Sequence, residues 1–573
     1  MTQDCGRVVR VNGSLVEIDG LHRAALLDLV EVGELGLAGE IVAVRDGRAT
    51  AEIHEYTGGL APGAPARDIL HPLSAPLGPG LLGGVFDGLL RPLADAGAFL
   101  NPGRDTADGA RDWEFEPRVG RGEFVAEGGV LGLVRERGRF EHRVLVPPGC
   151  AGKVDRIVPS GAHDPQQPIA VIGGVEVPLV QLWPVRQGRP FRARLDEPVP
   201  LLTGQRVLDL LYPIRLGSTS AVPGGFGTGK TILLQQIAKW CDADVIVYIG
   251  CGERGNEMAD VLEDIARLAD PRTGRLLAER TILIANTSNM PLMAREACIY
   301  TGMTVAEYFR DMGYNAVVIA DSTSRWAEAL REFASRNGQL PAEEGYPASL
   351  ASSLAAFYER AGRVQTLGGP TGSVTVIASV SPPGGDFTEP VTAQTQRFVR
   401  CFWSLDRDLA YARHYPAVSW RDSFSRDADQ IAQWHVDNGD TRWPVARARA
   451  LALFAEADRL EPLVDLVGAN ALPDRERVTL LGARLLRDGV LEQSALSDND
   501  ASSDATKQLA LLEMVLGVYD ACLALLERSV SATEIEEFDF STVIRARDTA
   551  GPADAAAVEA IAAAVQQQLS AIR

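Results

Sequence analysis

Residues 224–231 place Gly224, Gly225, Phe226, Gly227, Thr228, Gly229, Lys230 and Thr231 in succession. Glycines let the backbone curl until successive N–H groups point at one centre. Lys230 adds a mobile positive charge, and Thr231 offers a hydroxyl to a hard cation such as Mg²⁺. An apolar run ends at Val222 and a helical run over 232–240 follows, which is the strand–loop–helix setting that a phosphate-binding P-loop requires. The plain alternative is a flexible glycine-rich turn, and the correct flanking elements weigh against it.

Carboxylates stand at the ends of two further apolar runs. Residues 316–320 lead directly into Asp321, the arrangement of a Walker B acid that supports a magnesium shell, expected here to act through water. The same Asp321 could instead cap a helix over 322–330. Residues 244–249 lead into Gly250-Cys-Gly-Glu-Arg-Gly255, where Glu253 could align an attacking water and Arg254 could steady phosphate charge. Read from the residues alone, a surface ion pair of little energetic weight fits Glu253 and Arg254 equally well.

The elements that must position these groups follow from the apolar pattern. Runs at 218–222, 244–249, 280–285, 316–320 and 374–380 are mostly small and apolar, the last four dominated by Val, Ile and Ala, as expected of strands buried on both faces of a largely parallel sheet. Ligands of such sheets sit beyond the carboxyl ends of the strands. The expected fold is multidomain. Residues 1–72, with short alternating segments and Asn-Gly and Asp-Gly turns, form an N-terminal β-barrel. Residues 73–112 connect to or begin the nucleotide-binding domain, with a short helix expected in the Gly- and Pro-rich stretch 73–102. Residues 113–189 form a β-rich insertion, 190–444 a P-loop α/β nucleotide-binding domain, and 445–573 a C-terminal α-helical domain broken at Pro473 and over 497–504.

A formal net charge of −20 over 573 residues repels a polyphosphate backbone and argues against broad nucleic-acid binding. The seven cysteines are scattered and lack paired metal-ligand spacing, which suits reduced thiols in a cytosol, with Cys251 a small packing residue. The first ten residues do not read as a signal peptide, and no window is expected to supply the roughly twenty apolar residues of a spanning helix.

These motifs occur together and in order, and the chain closely resembles the catalytic A chain of V-type and A-type rotary ATPases. The likeness is carried by Tyr248-Ile-Gly-Cys-Gly-Glu-Arg-Gly-Asn-Glu-Met258, Asn286-Thr-Ser-Asn-Met290, Ala306-Glu-Tyr-Phe-Arg-Asp-Met-Gly-Tyr314, Ala320-Asp-Ser-Thr-Ser-Arg-Trp-Ala-Glu-Ala-Leu-Arg331 and Ser381-Pro-Pro-Gly-Gly-Asp-Phe387. It thins beyond about residue 443. The insertion resembles the extra domain that sets this A chain apart from its F-type counterpart and from the non-catalytic B chain.

The resemblance implies ATP or ADP on the P-loop with Mg²⁺, Glu253 polarising water, and Arg254 meeting the phosphates beside Lys230. His414-Tyr-Pro-Ala-Val418 resembles the segment that presents an aromatic ring to adenine, which falls on Tyr415; a plain core aromatic is the alternative. It also implies an alternating A3B3 ring with the B chain, whose arginine completes the site, together with central and peripheral stalk subunits and, indirectly, a membrane sector that moves protons or sodium ions. The chain would then lie at the cytoplasmic face of the membrane as a peripheral part of that complex. Three positions depart from the family pattern. Gly225 stands where Pro is usual and should loosen the turn; Thr228 stands where some relatives have Cys; Leu496 stands where relatives commonly show an aromatic. Arg426 falls near the place where partner chains carry an arginine finger. The competing readings are a flagellar or type III export ATPase, a Rho-like translocase, and a regulatory ring component that binds nucleotide without turning it over.

Overall fold

The computed structural model describes residues 4–93, 111–136, 140–270, 273–336 and 338–572. It divides into two compact units: Met1–Asp196 with Ala243–Val380 and Thr388–Phe398, and Glu197–Asp242 with Ser381–Phe387 and Val399–Arg573.

The first unit begins with six strands, β1 (Asp4–Asn12), β2 (Leu15–Asp19), β3 (Asp28–Val32), β4 (Leu37–Arg45), β5 (Arg48–Ile53) and β6 (Pro65–Pro72). They close into a barrel in the order β1-β2-β5-β4-β3-β6. Alternation explains the closure, because Val16, Ile18, Val30, Val32, Ile41 and Ile53 turn inward to one core while their sequence neighbours face out. Beyond the barrel, Ser74–Leu77 pairs antiparallel with Gln181–Pro184, and Val85–Phe86 joins the central sheet. The expected short helix is therefore not found over residues 73–93; the remainder of that stretch, from residue 94, lies outside the described residues. A partner strand so distant in sequence leaves no local periodicity to read.

The β-rich insertion is a sandwich of two four-stranded sheets. One contains Trp113–Pro117, Val130–Arg135, Glu141–Leu145 and Gly161–His163; the other contains Phe124–Val125, Gly152–Ile157, Pro168–Ile172 and Val175–Pro178. Buried polar groups tie it to the helix Leu292–Asp311. His142 lies 2.7 Å from Glu136 through Nδ1 and 2.8 Å from the Tyr308 hydroxyl through Nε2. Arg186, on the connection leaving the insertion, bridges Glu40 of the barrel at 2.8 Å and Glu296 of that helix at 2.7 Å. A guanidinium between two carboxylates is the planar, multiply bonded arrangement in which burying charge is tolerated.

The core of the first unit is a parallel sheet in the order Thr371–Val380, Asn315–Asp321, Val245–Cys251, Thr281–Asn286 and Val85–Phe86. Its strands are buried on both faces, as their largely apolar runs require. Its register sets Gly250 opposite Asp321 and Cys251 opposite Asn286, so the turn after Cys251 leaves the sheet beside Asp321.

In the second unit Thr219–Pro223 pairs parallel with Cys401–Phe402, which pairs antiparallel with Phe424–Ser425. The helix Lys230–Trp240 follows the first of these strands. The remainder is helical, chiefly Arg442–Val467, Asp474–Leu486, Ala505–Glu527 and Ala555–Ser570. Pro473 lies at the start of Asp474–Leu486, and Asp504 caps Ala505–Glu527 by accepting from the Lys507 N–H at 2.8 Å. The expectation that no window is apolar enough to cross a membrane is corrected by Ala505–Glu527, whose mean hydropathy reaches 2.0 over an 18-residue window. Of that window 56% is buried inside the protein, much of it against Ala555–Ser570, so its apolar character serves a helical core.

Candidate functional site

The glycine-rich loop lies between a strand that ends in Pro223 and a helix that starts at Lys230. Gly229 precedes the helix with φ of 90° and Gly227 has φ of 78°, conformations that L side chains rarely adopt. Gly224 is required for a different reason: a Cβ there would stand 2.6 Å from Thr228 Oγ1 and 2.9 Å from Leu405 Cβ. A Cβ on Gly225 would meet nothing within 4 Å, and its φ is not positive, so the turn itself does not demand glycine at the position that departs from the family. The loop closes on itself through Thr228 Oγ1, which donates to the Gly225 carbonyl at 2.9 Å. Lys230 Nζ donates to the Gly224 and Gly225 carbonyls at 2.6 and 2.8 Å, folding the ammonium over the loop. The first amides of Lys230–Trp240 have no intrahelical acceptor, which makes this end a donor-rich, positive pole. Phe226 is 96% exposed at the loop tip.

A cavity of about 590 Å³ lies beside this loop within the second unit. Gly227, Thr228 and Gly229 line one side, and Tyr415, Arg413 and the segment 492–496 line others. Tyr415 is 42% exposed, which excludes the plain core-aromatic reading, and its ring carbons lie 3.5 and 3.6 Å from where a Gly229 Cβ would be. Its hydroxyl donates a long bond to the Ala410 carbonyl at 3.3 Å. Leu496 also lines the cavity and is 97% exposed. The structure thus brings Tyr415 and Leu496 to the loop residues that the sequence singles out.

The carboxylates are assembled in the first unit. Asp321 ends its strand 3% exposed, accepting from Ser379 Oγ at 2.6 Å and from the Tyr248 hydroxyl at 3.4 Å. It belongs to the strand Asn315–Asp321, and the following helix is Thr323–Arg336. Glu253 is half-buried in the turn after Val245–Cys251, where its carbonyl accepts from the Ser288 N–H at 2.9 Å. Its carboxyl is pushed up to about 7, first by burial, then by the negative charge of Asp321 and by hydrogen bonding and repulsion from Glu257, against a smaller opposing pull from Arg325. The same crowding, after burial, raises the Tyr248 hydroxyl well above its ordinary range. A carboxyl titrating near neutrality can exchange a proton with water at working pH. Arg254 is exposed, at the start of the helix Gly255–Arg267. In the second unit, the Arg426 guanidinium lies 5.3 Å from the Phe424 ring centre.

Sequence reasoning misses Tyr248, Ser379, Glu257 and Arg325 as site residues. Glu257 and Arg325 carry a usable signal, since each follows a carboxylate, Glu253 or Asp321, by four residues; Tyr248 and Ser379 reach Asp321 only through sheet register. Among the described residues, no three or more His, Cys, Asp or Glu side chains gather as a metal cage.

The chain matches known proteins along most of its length. Residues 204–425 match the nucleotide-binding domain of the ATP synthase alpha/beta family, 105–186 the barrel-sandwich domain of its alpha/beta subunits, and 432–535 the C-terminal domain of V and A type ATP synthase. The A subunit of the A-type ATP synthase of Methanopyrus kandleri is 48% identical over 547 residues, covering 93% of this chain and 92% of the relative. The V-type ATP synthase alpha chain of Nitrosococcus oceani is 48% identical, with 92% of each chain covered. Among solved structures, the assembled ATPase EscN of the enteropathogenic E. coli type III secretion system aligns with a TM-score of 0.63 over 89% of this chain and 99% of its own. At 22% identity that likeness is one of fold.

Proposed function

Because the chain belongs to the family formed by the A subunits of A-type ATP synthases and the alpha chains of V-type ones, we propose the following assignment of its parts. The chain is the catalytic ATP-binding subunit of a rotary ATPase that couples ATP hydrolysis or synthesis to ion transport. Residues 224–231 hold the phosphates through backbone amides, the Lys230 ammonium and the helix pole behind them, and Tyr415 packs on adenine. The observation that carries this reading is the cavity shared by Gly227, Thr228, Gly229 and Tyr415. Domain limits at residues 72, 112, 189 and 444 belong to the same reading.

The donors fit Mg²⁺ arriving with the nucleotide. Magnesium keeps several waters and takes one or two protein oxygens besides phosphate, so a hydroxyl and one carboxylate suffice without a larger cage. Thr231 would supply the hydroxyl, and Asp321, held by Ser379 and Tyr248, would face the hydration shell. The ion when bound neutralises developing phosphate charge.

Glu253 orients the attacking water and accepts its proton. Its raised affinity for protons, set by burial and by Asp321, suits a group that must take up and return one in each turnover. Arg254 steadies phosphate charge from the neighbouring position. In the assembled complex an arginine of the partner B chain completes the site, which leaves the isolated chain nearly inactive; such fingers supply about 10³–10⁵ in turnover. The ring is an alternating A3B3 assembly with central and peripheral stalks, attached peripherally at the cytoplasmic face of a membrane. Glu253→Gln in that complex is expected to keep nucleotide and to lose about 10²–10⁴ in hydrolysis. Full hydrolysis by this variant would remove Glu253 from the mechanism.

A further inference from the structure

The wall of the cavity formed by residues 492–496 is not part of any helix or strand, so something else must hold its shape. Arg206 does so from behind. It is 0% exposed, and its guanidinium spends its donors on the backbone around this wall: Nε on the Val490 carbonyl at 2.6 Å and Nη2 on the Glu492 carbonyl at 2.6 Å. Nη1 donates to Ser503 Oγ at 2.9 Å, and Nη2 stands 2.7 Å from the Asp500 carboxylate in a fully buried ion pair. The other Asp500 oxygen accepts from the Ser494 N–H at 2.7 Å, so the counter-ion of the arginine also grips the wall.

The Arg206 backbone completes the connection. Its N–H donates to Gln493 Oε1 at 2.9 Å, and the Gln493 N–H donates to the carbonyl of Tyr415 at 2.8 Å. The guanidinium therefore holds the wall, and the backbone N–H of the same residue, through Gln493, ties that wall to the peptide that carries the aromatic ring. A lysine could not replace Arg206, because a single ammonium lacks the planar fork that reaches several acceptors in fixed directions.

We propose that Arg206 is a positioning residue for the base end of the nucleotide pocket, holding segment 492–496 and Tyr415 at the spacing a flat purine needs without touching the nucleotide. This rests on the nucleotide-binding reading of the cavity. It separates the pocket into a phosphate end, formed by the loop and independent of Arg206, and a base end that depends on it.

The test measures equilibrium binding of Mg-ADP and of Mg-pyrophosphate, which has no base, to the complex assembled from full-length chains. Arg206→Lys is expected to weaken ADP about tenfold, the scale of one disturbed ring contact, while pyrophosphate keeps its wild-type affinity. A purely structural role would weaken both equally, and that result, or an unchanged ADP affinity, overturns the proposal. Should Arg206→Lys fail to assemble, Asp500→Asn decides: it is expected to lower the ADP-to-pyrophosphate affinity ratio by a smaller factor, and an unchanged ratio overturns the proposal. Wild-type complex that binds neither ligand would bring down the nucleotide reading and this inference together, whereas normal wild-type binding with an unaffected variant brings down the inference alone.

Discussion

In residues 224–231 the groups proposed to face the phosphates are backbone amides, one hydroxyl and one ammonium, and the ammonium is folded onto carbonyls of its own loop. At the ends of Val245–Cys251 and Asn315–Asp321 the corresponding groups are carboxylates, crowded enough that Glu253 holds a proton up to about pH 7. The first region gathers partial positive charge at a helix pole; the second gathers negative charge against the desolvation that opposes it. Under the proposed function the difference assigns affinity to the loop, whose donors are fixed by backbone geometry, and reactivity to the carboxylates, whose protonation is set by their neighbours.

The comparison can be broken most severely at Lys230. Lys230→Ala should lower turnover of the assembled complex by about 10²–10³, as for loss of a preorganised donor to developing charge, read by steady-state phosphate release. Tyr415→Ala should weaken ADP about tenfold by equilibrium binding, whereas Tyr415→Phe should bind as wild type because the hydroxyl makes only a 3.3 Å bond to Ala410.

Gly229→Ala would force a side chain into φ of 90°, with a destabilisation of about 1–2 kcal/mol visible as a lower thermal midpoint. For Glu253 the sign follows from the direction of its shift. Between its ordinary value of 4.5 and about 7 the folded chain keeps a proton that the unfolded chain releases, so this group makes stability fall as pH rises through that window. Glu253→Gln should flatten that part of the stability profile, and an unchanged slope would show that Glu253 is not the titrating group. The smallest effect is expected at Gly225: with nothing within 4 Å of an added Cβ, Gly225→Ala should shift stability by less than about 0.5 kcal/mol in denaturant titrations.

Much of this is legible in the residues. The run at 316–320 becomes the strand Asn315–Asp321, and the run at 244–249 becomes Val245–Cys251, because a short, β-branched, apolar segment is satisfied when buried on both faces of a sheet. The phosphate loop is legible because most of its glycines have steric reasons that no other residue satisfies. Tyr415 is reached through resemblance alone, since one aromatic among seventeen phenylalanines, eleven tyrosines and eight tryptophans has no local mark. The support of Asp321 by Ser379 and Tyr248, and of the cavity wall by Arg206, depends on register and tertiary packing that spacing along the chain does not encode. The helix Ala505–Glu527 departs from expectation for a related reason: apolar residues scattered around a helix that packs on several neighbours mimic a membrane span only when averaged over a window.

The division of labour between loop and carboxylates is tested most directly by measuring Mg-ADP binding to assembled complexes carrying Lys230→Ala or Glu253→Gln side by side. The account predicts that Lys230→Ala weakens Mg-ADP binding by more than about tenfold while Glu253→Gln retains wild-type affinity. Wild-type binding by Lys230→Ala, or loss of binding in Glu253→Gln, would contradict it.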